Sequence, residues 1–224
     1  MPWPRPCPRP WRRSSVAADL LALAAGLAVP GRRRLLGLAG PPGVGKSTLA
    51  AQLVADLDGL AALVPMDGFH LAQAELERLG RAGRKGAPDT FDAPGFVALL
   101  GRLADQRPGL GATGETVYAP RFDRHREEPV AGAIAVEAEV PLVVVEGNYL
   151  LQDEGAWARV APLLDECWYL DLDPATRRER LVARHVAHGR SPEAALAWVL
   201  GTDEPNAELI SRGRGRATRH VLVP

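Results

Sequence analysis

Nine consecutive residues carry the most specific chemistry in the chain. In Gly40-Pro41-Pro42-Gly43-Val44-Gly45-Lys46-Ser47-Thr48 the first eight fill the pattern G-x-x-x-x-G-K-[ST], placed between an apolar run, Leu35 to Ala39, and a helical pattern. The glycines permit backbone geometry that other L-residues resist. Successive N–H groups can therefore turn inward around a phosphate at a helix N-terminus. At this spacing Lys46 can bridge the β- and γ-phosphates of a nucleotide, and the Ser47 hydroxyl can ligate Mg²⁺. Gly40, Gly43, Val44, Gly45, Lys46, Ser47 and Thr48 are thus the expected nucleotide-binding residues, with ATP and Mg²⁺ as the expected cofactors. The competing reading is a plain Gly-rich turn, but a chance match of this length arises on the order of once per thousand such chains.

A second group of residues could act on whatever the phosphate meets. Asp67 and His70 lie in Pro65-Met66-Asp67-Gly68-Phe69-His70, directly after the apolar run Ala62 to Pro65. A carboxylate at the C-terminal edge of a strand faces the crevice where open α/β sheets bind ligands. Asp67 could accept the proton of an attacking hydroxyl or only orient it, because a carboxylate of ordinary pKa ~3.9 is a weak base toward an alcohol. The competing role is an N-cap for the next helix. His70 stays open between lining an acceptor pocket and making a structural hydrogen bond. Further along, Asp173-Pro174 reads as an N-cap with Pro at the first helical position. Arg177, Arg180 and Arg184 follow at spacings of three and four and so share one helical face. Such a face could close over a triphosphate, an effect worth ~10³ to 10⁵ in rate in arginine-finger systems. Its competing reading is a solvated helix with Glu179 paired to neighbouring arginines. There is no N-K-x-D guanine-reading motif and no L-S-G-G-Q signature.

Several separate blocks resemble the phosphoribulokinase, uridine kinase and pantothenate kinase group of P-loop kinases, over roughly residues 35 to 200. Met66-Asp67-Gly68-Phe69-His70 is similar to that group's strand-end Asp followed by an aromatic residue. Arg84-Lys85-Gly86-Ala87-Pro88-Asp89-Thr90-Phe91-Asp92 resembles a Lys-Gly-x-Pro-Glu-Ser-Tyr-Asp stretch of bacterial pantothenate kinase. Val145-Glu146-Gly147-Asn148-Tyr149-Leu150 resembles the group's Glu-Gly strand end. The whole is most similar to bacterial fructokinase-like or nucleoside kinase-like proteins. The resemblance implies an α/β fold, a P-loop NTPase three-layer sandwich with a mostly parallel five-stranded sheet and a helical lid at about 174–200. It gives Glu146 the metal-holding role beside Ser47, which suits a hard cation's preference for oxygen. Asn148 and Tyr149 could reach the acceptor or pack. The loop from Val117 to Pro129 is positioned like the group's acceptor-binding hairpin, so Tyr118, Arg121, Asp123 and Arg124 join His70, Lys85 and Asp92 as acceptor-site candidates. Lys46, Asp67 and the three lid arginines are the candidate catalytic residues. The implied activity is ATP- and Mg²⁺-dependent transfer of a phosphoryl group to a hydroxyl of a nucleoside-, pantothenate- or sugar-like metabolite. The alternative is a nucleotide-binding regulator or RNA-associated ATPase without acceptor chemistry.

The elements that must position these residues follow from pattern. Continuous apolar runs at Leu35–Ala39, Ala62–Pro65, Leu142–Val145, Cys167–Leu172 and His220–Val223 read as strands buried on both faces. Helical patterns cover Lys46–Leu57, Ala72–Leu79, Pro94–Gln106, Trp157–Leu164, Pro174–His188 and Pro192–Leu200, and a leading helix spans Val16 to Leu27 behind Ser14 and Ser15. Gly80–Asp92 and Pro108–Val130 read as long, Gly- and Pro-rich loops of the kind that carry binding sites. At 224 residues and 46% hydrophobic, the chain supports one domain over 14–224, with residues 1–13 as a disordered basic tail. Equal counts of 27 basic and 27 acidic residues leave no net field to attract nucleic acid or an anionic membrane. The seven arginines up to Arg34 and the cluster Arg212, Arg214, Arg216 and Arg219 read first as solvated surface. Two cysteines, no apolar leader and no span-length apolar run fit a cytoplasmic protein. The expected partner is a small-molecule acceptor, with neither membrane nor nucleic acid, and a homodimer stays open.

Overall fold

The computed structural model describes residues 15–106 and 115–223, so the expectations for the tail 1–13, the Ser14 cap and residues 107–114 lie outside it. In chain order the elements are α1 (Ser15–Leu27), β1 (Arg34–Ala39), α2 (Lys46–Asp56), β2 (Ala61–Pro65), α3 (Gln73–Arg78), α4 (Ala93–Asp105), β3 (Val117–Asp123), β4 (Glu128–Val136), β5 (Leu142–Gly147), β6 (Glu166–Asp171), α5 (Pro174–Ala187), α6 (Pro192–Trp198), α7 (Glu204–Ser211) and β7 (Arg219–Leu222). Five strands form one sheet in the order β2-β5-β1-β6-β7, all parallel. The expected α/β fold is borne out, with the phosphate-motif strand β1 in the centre.

Both faces of the sheet are covered, which explains the continuous rather than alternating apolar runs. Along β5 the side chains alternate between two cores. Val143 and Val145 pack with Phe96, Leu100, Tyr149 and Trp157, and Leu142 and Val144 pack with Leu49, Leu53, Trp168 and Leu20 of α1. All six residues of β5 are buried. Burying a Leu or Phe side chain contributes about 1.5–3 kcal/mol each, so these two layers fix the sheet and with it the strand ends.

Four expectations need correction. Trp157–Leu164 is not an α-helix but two turns of 3-10 helix, Gly155–Arg159 and Ala161–Leu163. Pro162 cannot donate the i→i−4 bond to Ala158, and the Trp157 indole instead donates to the Pro88 carbonyl at 3.1 Å. The stretch Pro108–Val130 is no simple loop: β3 and β4 pair antiparallel from Val117↔Val136 to Asp123↔Glu128, with a register break at Pro120, which has no N–H for the ladder. The lid extends past 200. Helix α6 runs into a π-turn, Val199–Asp203, and then α7, because Pro205 cannot donate to the Gly201 carbonyl. Finally, Gly80–Asp92 contains two short 3-10 turns, Ala82–Arg84 and Pro88–Thr90. They are tied down by the fully buried Thr90, whose hydroxyl donates to the Ala87 carbonyl and accepts from Gly86 N–H.

Candidate active site

The cradle begins where β1 ends. The backbone turns through left-handed conformations at Gly43 (φ 81) and Gly45 (φ 100) before α2 starts at Lys46. A Cβ on Gly43 would sit 2.7 Å from Leu181 Cγ and 3.3 Å from the Arg177 carbonyl, so the lid helix α5 packs directly on the cradle. Lys46 is buried and its ammonium donates to the carbonyls of Gly40 (2.8 Å) and Pro41 (3.0 Å). Burial pushes its pKa down to about 8, against the pull of Glu146 and Asp67.

Strand register brings two carboxylates to this ammonium. Glu146 of β5 lies between Leu38 of β1 and Pro65 of β2, one residue before Met66-Asp67. It is 6% exposed, and burial, followed by the Asp67 charge, pushes its pKa up to about 7 while Lys46 and Ser47 oppose the shift. Ser47 Oγ donates to Glu146 Oε1 at 3.1 Å. Asp67 sits in a 3-10 turn, Met66–Phe69, that β3 presses from above. A Cβ on Gly68 would lie 2.3 Å from the Pro120 carbonyl, so no other residue fits there without moving the hairpin. Arg124, just past β3, reaches Asp67 Oδ2 at 3.2 Å.

Of these groups Asp67 and Arg124 open onto a cavity of about 590 Å³, while Lys46, Ser47 and Glu146 are not among its lining residues. One wall holds Asp67, His70, Lys85, Phe122, Arg124 and Glu127, and the lid holds Arg184, His185, Arg190, Trp198, Asp203 and Asn206. The 85–92 segment is anchored beside it by Tyr149, whose hydroxyl donates to the Gly86 carbonyl at 2.6 Å. Lys85 donates to the Glu127 carbonyl at 2.6 Å and lies 5.1 Å over the Phe122 ring. Glu127 takes a positive φ of 55 in the hairpin turn, and the next residue, Glu128, accepts from Gln73 N–H at 3.0 Å. The hairpin is thereby fastened to α3 and to Lys85.

Of the acceptor-site candidates, His70, Lys85 and Arg124 line this cavity; Asp92, Tyr118 and Arg121 are not among its lining residues. Asp92 is the N-cap of α4, accepting from Gly95 N–H at 2.9 Å, a role worth about 1 kcal/mol. Tyr118 is 58% exposed on β3. Asp123 folds the hairpin turn by accepting from the N–H groups of His125 and Arg126. Asn148 lines the cavity, while Tyr149 packs among Phe91 and Trp157.

The three lid arginines separate. Asp173 caps α5 as expected, accepting from Thr176 N–H at 2.9 Å. Arg177 is buried, paired with Glu204 and 3.5 Å from the Pro42 carbonyl. It is a clasp between lid and cradle rather than a free finger. Arg180 is not a lining residue, and Arg184 is. The partners of this clasp escaped the sequence reading. The π-turn makes the neighbours Asp203 and Glu204 both face α5, where Asp203 Oδ2 lies 2.8 Å from His185 Nε2. The sequence signal was Asp203-Glu204-Pro205, two acids ahead of a helix-breaking proline.

A central parallel strand feeding a glycine cradle, with a carboxylate on the adjoining strand end and a helical lid on top, defines the P-loop kinase class. No family model matches the chain. It is 37% identical over 155 residues to an ATP-dependent kinase-like protein of Aspergillus versicolor, covering 66% of this chain and 88% of that one. It is 36% identical over 167 residues to a Schizosaccharomyces pombe protein provisionally named a uridine kinase, covering 70% and 68%. A solved structure from Silicibacter sp. TM1040, provisionally named a fructose transport system kinase, superposes with a TM-score of 0.80 at 38% identity, covering 93% of this chain and 99% of that one. The chain belongs to this family of P-loop small-molecule kinases. No helix among the described residues is long and apolar enough to cross a membrane.

Proposed function

We propose that the protein transfers the γ-phosphoryl group of ATP to a hydroxyl of a small nucleoside-, pantothenate- or sugar-like metabolite held between the β3–β4 hairpin and the lid. The observation that carries this reading is the convergence of Glu146 and Asp67, from adjoining strand ends, on the Lys46 ammonium at the start of α2, with Asp67 lining the cavity. In the transfer, the acceptor oxygen forms a bond to the γ-phosphorus as the bridging P–O bond breaks, and its electron pair stays on the β-phosphate of ADP. The hydroxyl proton passes to Asp67 and on to solvent. Lys46 and Arg184 offset the charge that spreads over the transferred group. Arg177 holds the lid against the cradle.

The donor set suits a hard divalent cation: Ser47 and Glu146 supply oxygens, and they already share a hydrogen bond. Among the described residues no group of three His, Cys, Asp or Glu converges, so Mg²⁺ would draw its other oxygens from phosphates and water. When bound, it would neutralise phosphate charge.

The alternative, a nucleotide-binding regulator or RNA-associated ATPase without acceptor chemistry, draws on the basic N-terminal arm, whose residues 1–14 lie outside the described ones, and on the cluster from Arg212 to Arg219. Arg212, Arg214 and Arg216 are each paired with a carboxylate, Glu208, Asp171 and Asp153, which weakens their case as a phosphate-backbone surface. The deciding experiment incubates the protein with ATP, Mg²⁺ and fractionated metabolite pools and looks for a mass gain of one phosphoryl group. ATP hydrolysis with no phosphorylated product in any pool would overturn the proposal.

A further inference from the structure

The turn that carries Asp67 is touched by the β3–β4 hairpin at three points two residues apart. The Pro120 carbonyl backs onto Gly68, where even a Cβ would come within 2.3 Å. The Phe122 ring lies 4.9 Å from the His70 ring, centroid to centroid. Arg124 Nη2 lies 3.2 Å from Asp67 Oδ2. The base of the hairpin is fixed, because Val117, Ala119 and Val136 are buried in the core, whereas its tip from Arg124 to Glu127 is exposed. Any shift of the tip is therefore felt first at the Arg124–Asp67 contact.

The strength of that contact sets it apart from the clasp in the lid. Arg177 is 5% exposed in its pair with Glu204, but Arg124 and Asp67 are 55% and 31% exposed. An exposed ion pair contributes little and is readily exchanged for another partner. Arg184, across the cavity, makes no ion pair with a carboxylate among the described residues, so it is at liberty to meet a triphosphate. Arg124 is committed to Asp67 instead. A carboxylate placed to take the proton of an alcohol can equally take one from water, and both Asp67 and Arg124 line a cavity that water can enter. While Oδ2 accepts from the guanidinium, that oxygen is engaged and the rotation of the carboxylate is fixed.

Resting on the kinase reading above, we infer that Arg124 is a positioning residue that latches Asp67, withholding it from water until an acceptor displaces the guanidinium. The reaction it suppresses is hydrolysis of ATP. In that step a water oxygen bonds to the γ-phosphorus as the bridging P–O bond breaks, the electron pair stays on the β-phosphate of ADP, and the water proton passes to Asp67 and on to solvent, leaving inorganic phosphate. A water molecule fits beside the pair without moving it. A metabolite seated between Asp67, Phe122 and the lid pushes the tip outward and takes the place of Arg124 on the carboxylate.

The test needs no acceptor: phosphate release from ATP and Mg²⁺ by the full chain, with nothing else added. Arg124→Ala should raise the rate about threefold or more at unchanged KM for ATP, a small share of the ~10²–10⁴ that a positioned base contributes. The same substitution on top of Asp67→Asn should give no rise, because no base is left to release. An unchanged rate would make Arg124 an acceptor contact only, and a lowered rate would make it a ligand of the transferred phosphate. A rise that persists in the double variant would have a cause other than Asp67. Each of these three overturns the latch. Arg124→Gln, which loses the charge and keeps most of the side chain, gives the same reading should Arg124→Ala fail to fold. The kinase reading is judged separately, by a phosphorylated product from the metabolite pools: its absence sinks the transfer, whereas an unchanged rate in Arg124→Ala sinks the latch alone.

Discussion

The cradle grips with main chain, whereas the acceptor wall and the lid are assembled from side chains that meet across long stretches of sequence. Residues 40 to 46 do their work within one turn of chain, through glycine backbone and one ammonium that is bonded to its own loop. Asp67 and Arg124, Lys85 and Glu127, and Arg177 and Glu204 are 57, 42 and 27 residues apart. A local device tolerates change elsewhere but little within itself. A long-range device can fail from either partner and can be retuned for a new acceptor without touching the cradle.

Leaving aside the strand-end carboxylate Asp67, the largest effect should come from the cradle's one charged side chain. Lys46→Ala is expected to lower turnover roughly 10²–10³-fold, the usual loss when a preorganised charge donor is removed, with folding retained by thermal melt. A turnover loss below tenfold would break the distinction, because the cradle would then be working through backbone alone. Next comes the lid clasp. Glu204→Ala leaves the Arg177 guanidinium buried without its carboxylate and should cost about 2–3 kcal/mol in denaturant unfolding. That is less than a fully buried pair because Glu204 is 29% exposed. Equal stability of wild type and variant would show the lid to be held by packing alone.

A smaller effect concerns pH. In the proposed site Glu146 ligates Mg²⁺ in its ionised form, and burial raises its pKa above the ordinary value, so affinity for Mg·ATP should fall as pH is lowered from 8 to 6 by titration calorimetry. The same shift has a consequence for stability. Between its ordinary value of 4.5 and about 7 the folded chain keeps a proton that the unfolded chain releases. Glu146 therefore lowers ligand-free stability as pH rises through that window. A flat calorimetric profile would place the metal elsewhere. The smallest change is Tyr149→Phe, which removes the bond to the Gly86 carbonyl. It should cost about 1 kcal/mol and raise KM for the acceptor a few-fold at unchanged kcat, which kinetics with the identified acceptor would read.

What the sequence made legible divides along the same line. The cradle, the strand-end Asp67 and the Asp173 cap are contiguous patterns in which residue type and spacing already state the geometry. The five strands followed from apolar runs that needed burial on both faces, but not their order in the sheet. The capping role of Asp92 is not legible in the sequence, because a helix cap and a ligand carboxylate look alike until the N–H of Gly95 is seen pointing at it. The Trp157–Leu164 helix failed on Pro162, whose effect was outweighed by helical spacing. The clasp was invisible because it depends on a π-turn that rotates Asp203 and Glu204 by one position, a phase shift set by Pro205 and Gly201 that no period of 3.6 anticipates.

In the proposed transfer a carboxylate aims an alcohol at a phosphate tail, and Asp67→Asn removes that charge while leaving the side chain's size. Rapid-quench turnover beside nucleotide affinity on that variant should show phosphoryl transfer reduced by roughly 10²–10⁴-fold with ATP bound as before. Transfer at the wild-type rate would contradict it.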